Sequence, residues 1–209
     1  MSESQLYGVF PTPVLKVASA LDTELVSTLV ERYGARARQA NASSDQLTHS
    51  EPVTPKEHGS LQKASRAIGP HLIDFGALLL GERLQWTIKE MWVNVMEAGG
   101  RQTMHNHANS FISGVVYLTT SHAAANTVFV KTPANSDFVL RNMNARAQVG
   151  PYNADKWVSP DPAPGDLLLF PSYLLHEVPE NRGQRRISLA FNAIPNRLDS
   201  WGYTITLSR

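Results

Sequence analysis

From residue 84 onward the chain breaks into short, β-rich runs separated by turn chemistry, and this pattern limits the fold more than any other feature. The runs fall at 84–96, 110–120, 127–131, 165–171, 186–193 and 201–207. Most are shorter than an ordinary helix and rich in Val, Ile, Leu, Phe or Thr. Strands at this spacing predict an antiparallel sandwich or barrel whose outer face needs a cover.

That cover lies upstream. Residues 22–40 carry Leu21, Leu25, Leu29 and Tyr33 at helical spacing with Asp22 as N-cap, and residues 60–80 carry Leu61, Ala64, Ile68, Leu72, Phe75 and Leu79 on one stripe with Gly81 as the stop. Both predict amphipathic helices. An apolar strand is expected over 9–17, broken by Pro11 and Pro13. Residues 41–59, rich in Ser, Asn, Thr, Pro and Glu, are expected to form a polar loop or lid. The connection 141–164, with Gly150, Pro151, Pro160, Pro162 and Pro164, is expected to be a functional loop at a site mouth.

Composition narrows the function. With 209 residues, 42% hydrophobic, one substantial core suffices, and a net charge of +1 argues for no nucleic-acid partner. The absence of Cys excludes disulfides and thiolate metal sites, so any metal must use His and carboxylate. The N-terminus lacks a signal-peptide profile and the apolar patch 75–80 is far too short to span a bilayer, so a soluble cytoplasmic protein is expected. Trp86, Trp92, Trp157 and Trp201 have no interleaved Lys or Arg and are expected to pack rather than stack on bases. Ser113 and Ser172 lack a nucleophile-elbow context.

Three of the seven histidines form a constellation. His105 and His107 precede one strand, and in an extended segment residues two apart share a face. His176 follows another strand. Three neutral nitrogen ligands from two strand ends leave coordination positions open, as catalytic metal sites require. His49, His58, His71 and His122 have no partner at ligand spacing and are expected on the surface or in helices. In the run after Arg186, alternation puts Arg186, Ser188 and Ala190 on one face and Ile187, Leu189 and Phe191 on the other. An Arg among small residues suggests a lined pocket, and its planar fork suits a carboxylate. Asn94, between Trp92 and Met96 on one strand face, is expected either to enter that pocket or to make a cross-strand hydrogen bond.

The segments Gly165-Asp-Leu-Leu-Leu-Phe-Pro-Ser-Tyr-Leu-Leu-His176-Glu-Val-Pro-Glu-Asn181 and Arg186-Ile-Ser-Leu-Ala-Phe-Asn192 resemble the second half of the double-stranded β-helix in 2-oxoglutarate/Fe(II)-dependent oxygenases. With Met91-Trp-Val-Asn-Val-Met-Glu-Ala-Gly-Gly100, the stretch from His105 to Leu118 and the early Phe10-Pro-Thr-Pro-Val14, the chain resembles more closely a bacterial subfamily of oxygenases of unknown substrate. The resemblance implies a mainly β fold with flanking helices. This is a double-stranded β-helix (jelly roll, cupin-like) with two N-terminal helices on one sheet, in a single domain over 1–209, where 1–83 support a β core of 84–209. It implies Fe(II) held by His105 and His176, with His107 in the slot usually filled by a carboxylate. It further implies Arg186 anchoring 2-oxoglutarate and Tyr117 as hydrogen-bond partner of the same carboxylate. A carboxylate from Asp166 or Glu177 is the alternative ligand, although Glu177 adjoins His176 and should point away.

Three neutral ligands leave the metal one unit more positive, which strengthens its pull on an anionic cosubstrate and weakens electron donation toward oxygen. The expected activity is hydroxylation of a small-molecule or side-chain substrate, in a monomer or a homodimer. Two alternatives stay open: a cupin-type three-His dioxygenase that does not use 2-oxoglutarate, and a non-catalytic metal or small-molecule binding module.

Overall fold

A computed structural model of the chain describes residues 4–37, 39–131, 142 and 144–207. The N-terminal part contains β1 (Leu15–Val17), α1 (Thr23–Tyr33), a hairpin of β2 (Gln39–Asn41) and β3 (Ser44–His49), and α2 (Gly59–Leu80). The strands that follow are β4 (Trp86–Met96), β5 (Gln102–His105), β6 (Ile112–Tyr117), β7 (Val128–Val130), β8 (Lys156–Val158) and β9 (Leu167–Pro171). The chain ends in β10 (His176–Val178), β11 (Arg186–Pro195), β12 (Arg197–Ser200) and β13 (Tyr203–Thr206).

These strands form a seven-stranded sheet in the order β1-β9-β6-β11-β4-β3-β2 and a four-stranded sheet in the order β5-β10-β7-β8, with β12 and β13 as a separate hairpin. All pairings are antiparallel. Tyr117, Leu168 and Phe170 from the large sheet pack on Phe129 from the small one, so the two sheets face each other as in a double-stranded β-helix.

Alternation along β11 decides what each face does. Ile187, Leu189, Phe191 and Ala193 point outward into the main core, where Leu25 and Leu29 of α1 and Leu61, Ile68 and Leu72 of α2 cover them. Burying each Leu, Ile or Phe among them contributes about 1.5–3 kcal/mol. Gly114 on β6 makes room here, because a Cβ would press on the Phe191 ring. The opposite face, with Arg186, Ser188 and Ala190, looks into the barrel.

The helices begin where the sequence places them. The Asp22 carboxylate accepts the Leu25 N–H at 2.7 Å, and Gly81 closes α2 at φ 75°, a left-handed value that glycine adopts without strain. Helix α1 is shorter than the expected 22–40: it stops at Tyr33 before Gly34, a poor helix former, and β2 begins at Gln39. The expected strand 9–17 contracts to Leu15–Val17, beyond the two prolines that cannot donate to a ladder.

Residues 41–59 are not a loop. They supply the end of β2, all of β3 and a 3-10 turn at Pro55–Glu57, with Leu47, Thr48 and His49 paired to Met96, Val95 and Asn94. Their polar composition suits an edge hairpin that buries Leu47 and little else on that strand. In the connection 141–164, β8 pairs with β7, and none of its described residues lines the barrel cavity; Arg141 and Met143 lie outside the described residues. Among the described residues no helix is long and apolar enough to cross a membrane.

Candidate metal centre

The space between the sheets holds a cavity of about 360 Å³, within the range of small-molecule sites. His105, the last residue of β5, stands opposite His176, the first residue of β10. His107 lies just beyond β5, where its backbone N–H donates to the Ser172 carbonyl at 3.0 Å. The register of one small ladder and one loop hydrogen bond thus gather the three rings. Their centroids are 4.2 Å (His105 to His176), 5.1 Å (His107 to His176) and 5.2 Å (His105 to His107) apart. One potential ligand atom from each lies within 4.8 Å of the others, close enough for a single ion.

Hydrogen bonds set the tautomers of two rings. His105 Nδ1 lies 2.8 Å from the Thr103 carbonyl and His176 Nδ1 lies 2.9 Å from the Leu174 carbonyl. A carbonyl only accepts, so each Nδ1 carries the proton and each Nε2 keeps its lone pair for a ligand. Burial, reinforced by the neighbouring His105, lowers His107 to a pKa of about 4 and His176 to about 3; burial also lowers His105. The Phe170 ring, 4.7 Å from His176, and Phe129, 6.0 Å away, supply much of that apolar wall. All three imidazoles are therefore neutral near pH 7, the state that metal binding requires.

Arg186 lies at another part of the same cavity and is only 3% exposed. Its Nε donates to Ser121 Oγ at 3.2 Å, its guanidinium touches Ser188 Oγ at 3.4 Å, and it lies 5.2 Å from the centroid of the Tyr117 ring. Among the described residues it forms no ion pair with a carboxylate. Burial lowers its pKa, yet a guanidinium remains charged at neutral pH. A buried cation that meets only hydroxyls and a ring face is costly unless an anion joins it. Ser188 and Asn94 line the cavity as expected. The Tyr117 hydroxyl, expected near a cosubstrate, is 3.0 Å from Thr127 Oγ1, and the ring lies beneath Arg186.

Neither alternative carboxylate comes near. Asp166 accepts the Ser19 and Ala163 N–H groups and pairs with Lys16, and Glu177 turns to Lys156 at 2.7 Å. Among the lining residues that sequence reasoning missed, two are ionisable. His49, expected on the surface, sits on β3 opposite Asn94 and lines the cavity; the segment's polar composition gave no strand signal. Glu90 lines it too, and the alternation that marks Trp92 and Asn94 would have reached it two residues earlier. His58 caps α2, His122 caps the 3-10 turn Ala123–Ala125, and His71 lies on α2.

Residues 90–192, which contain every one of these cavity-facing side chains from β4 to β11, match the family model described as "Putative 2OG-Fe(II) oxygenase". Over these residues the barrel matches the 2OG-Fe(II) oxygenases. Fe(II) and 2-oxoglutarate are the cofactor and cosubstrate of that family. Solved structures share the oxygenase fold at low sequence identity. The non-heme alpha ketoglutarate dependent epimerase SnoN from nogalamycin biosynthesis is 14% identical, with 89% of this chain and 80% of that one covered at a TM-score of 0.62. HygX from Streptomyces hygroscopicus, solved with nickel and 2-oxoglutarate bound, is 13% identical over 88% and 83% at 0.59. A Pseudomonas putida prolyl-4-hydroxylase is 16% identical over 87% and 92% at 0.58. No curated protein matches the chain.

Proposed function

We propose that this oxygenase hydroxylates an organic substrate in a reaction coupled to the decarboxylation of 2-oxoglutarate, with His105, His107 and His176 holding the metal and Arg186 holding the cosubstrate. The observation that carries the reading is Arg186: a cation buried in the cavity of the three imidazoles, with hydroxyls around it and no carboxylate partner among the described residues. A dicarboxylate supplies what this group lacks, and a planar guanidinium matches its geometry.

The three imidazoles fit a divalent metal by charge state, spacing and tautomer. When bound, Fe(II) with 2-oxoglutarate supplies the oxidising chemistry. The chain's own part is to bind, orient and exclude water. Ser188 and Ser121 fix the guanidinium, Phe129 and Phe170 keep water from the His176 side, and Trp92, whose ring centroid is 5.8 Å from that of His107, walls the other. The remaining cavity wall comes from β3 and β4, where His49, Asn94 and Glu90 offer polar contacts to a small molecule or a side chain.

The test is oxygen-dependent release of succinate from 2-oxoglutarate by Fe(II)-loaded protein. Expected are release by the wild type, none by Arg186→Ala, and a substrate product heavier by one oxygen atom. Protein that binds Fe(II) but neither binds nor consumes 2-oxoglutarate would overturn the proposal in favour of a cupin-type site or a binding module. Turnover with no oxygen in the product would overturn hydroxylation alone.

A further inference from the structure

The three-histidine cavity has a carboxylate in its wall: Glu90 shares the cavity face of β4 with Trp92 and Asn94, and a bulge next to it brings Lys89 alongside. Strands β4 and β11 pair with Asn192 opposite Glu90, but the next pair is Ala193 with Ile88, so Lys89 is an extra residue and the ladder bulges. Bulges re-aim side chains and are enriched beside active sites. Here the bulge lets two consecutive residues meet: Lys89 Nζ lies 3.2 Å from Glu90 Oε1, with Glu90 lining the cavity.

A chain of polar groups ties Glu90 to the loop that positions His107. Asn192 Nδ2 donates to Glu90 Oε1 at 2.8 Å, and Asn192 Oδ1 accepts from Ser113 Oγ at 2.8 Å. Ser113 Oγ lies 2.9 Å from Ser172 Oγ, and the Ser172 carbonyl accepts the His107 N–H. Ser113, Asn192 and Ser172 are all buried, so this network crosses three neighbouring strands without water in its path. Buried polar networks of this kind are costly unless every member is satisfied, and each link here has its partner.

We infer that Glu90 is the charge-balancing carboxylate of the metal centre: fixed at the cavity wall by Asn192 and Lys89, it supplies from outside the ligand shell the negative charge that His107 does not supply from within. The inference rests on the reading of the three histidines as metal ligands. Among the described residues Glu90 is the only carboxylate lining the cavity. Burial pushes its carboxyl up, but the hydrogen bonds from Asn192 and Lys89 prevail and hold it below the usual range, so it is an anion near pH 7. Glu90 is a positioning residue in this scheme, acting on the metal through space and on His107 through Asn192, Ser113 and Ser172.

Lys89 supplies the decisive control because it has the opposite sign. If Glu90 only anchors Lys89 to the surface, removing either partner breaks the same contact and both changes act alike. If Glu90 balances the metal's charge, the two changes act in opposite directions. The experiment is calorimetric titration of the metal-free full chain with Ni(II), which needs no turnover, alongside melting of the metal-free proteins. Glu90→Gln should weaken Ni(II) binding about ten-fold, in line with the loss of outer-shell partners at other metal sites, and Lys89→Met should tighten it. Unchanged affinity in Glu90→Gln, or weakening in both variants, overturns the inference; if Glu90→Gln does not fold, Lys89→Met decides by its sign. A wild type that binds no Ni(II), or a His176→Ala variant that binds it undiminished, would instead overturn the three-histidine reading itself.

Discussion

His105 and His176 stand directly opposite each other across the β5–β10 ladder, with ring centroids 4.2 Å apart. Residues far apart in sequence are thus set side by side by strand register alone. A one-residue slip would turn one of the two rings to the other face of the sheet. The ladder itself shifts register between His176 and Val178, so the alignment is confined to the pair that matters.

Each imidazole should be required for metal. The wild type is expected to hold one Fe(II) or Ni(II) per chain, and His105→Ala, His107→Ala and His176→Ala to hold markedly less, by elemental analysis after dialysis. Full metal content in any of the three would remove that residue from the ligand set.

Arg186→Met should have two opposite effects. Loss of a buried partner for a carboxylate costs about 2–5 kcal/mol of 2-oxoglutarate binding, while Ni(II) binding persists. The ligand-free protein should melt at a higher temperature than wild type, because a buried, uncompensated cation is replaced by an apolar side chain of similar length. A variant that binds 2-oxoglutarate normally would show that the cosubstrate lies elsewhere.

Acid should destabilise the metal-free protein through its histidines. In the folded chain His107 and His176 titrate at about 4 and about 3, whereas in the unfolded chain they titrate near the ordinary imidazole value of 6.5. Below about 6.5 the unfolded state binds protons first, so this contribution is complete above that pH and drains away as pH falls toward 4 and 3. Melting curves of chelator-treated protein from neutrality to mild acid should show a steeper loss for the wild type than for a His107→Asn, His176→Asn double variant. Parallel losses would contradict the assignment.

The outer core should tolerate little change. Phe191 is fully buried between β6 and the helices, and Phe191→Ala is expected to cost about 3–5 kcal/mol in denaturant unfolding. Gly114→Ala should cost about 1–3 kcal/mol, because the new methyl meets the Phe191 ring. Near-wild-type stability of either would mean that the sheet and helices pack differently.

Much of this fold is legible in the sequence, and the gaps have a common cause. The long strands β4, β6, β9 and β11 bury one or both faces, so their apolar pattern shows through, and the alternation after Arg186 correctly separates the core face from the cavity face. Strands β5, β8 and β10 have three or four residues each and owe their existence to their partners rather than to their own composition. The β2–β3 hairpin hides for another reason: an edge with one solvated face needs polar residues and reads as a loop. The histidine triad was visible because two of its members share one short segment; His49 was not, since it required the hairpin, whereas Glu90 continues the Trp92–Asn94 alternation by one more step.

That hairpin forms the outer end of the seven-stranded sheet, and Asn41, Leu47 and His49 from it line the cavity, whereas the imidazole cluster arises from the small sheet and its adjoining loop. The two parts of the site are therefore encoded apart, and Ser43 in the hairpin turn ties them together through Thr103 at 2.9 Å and Gln102 at 3.1 Å on β5. Substitutions at Asn41, Leu47 and His49 reshape the cavity wall without replacing any of the three imidazoles, whereas a change at Ser43 reaches the strand that carries His105.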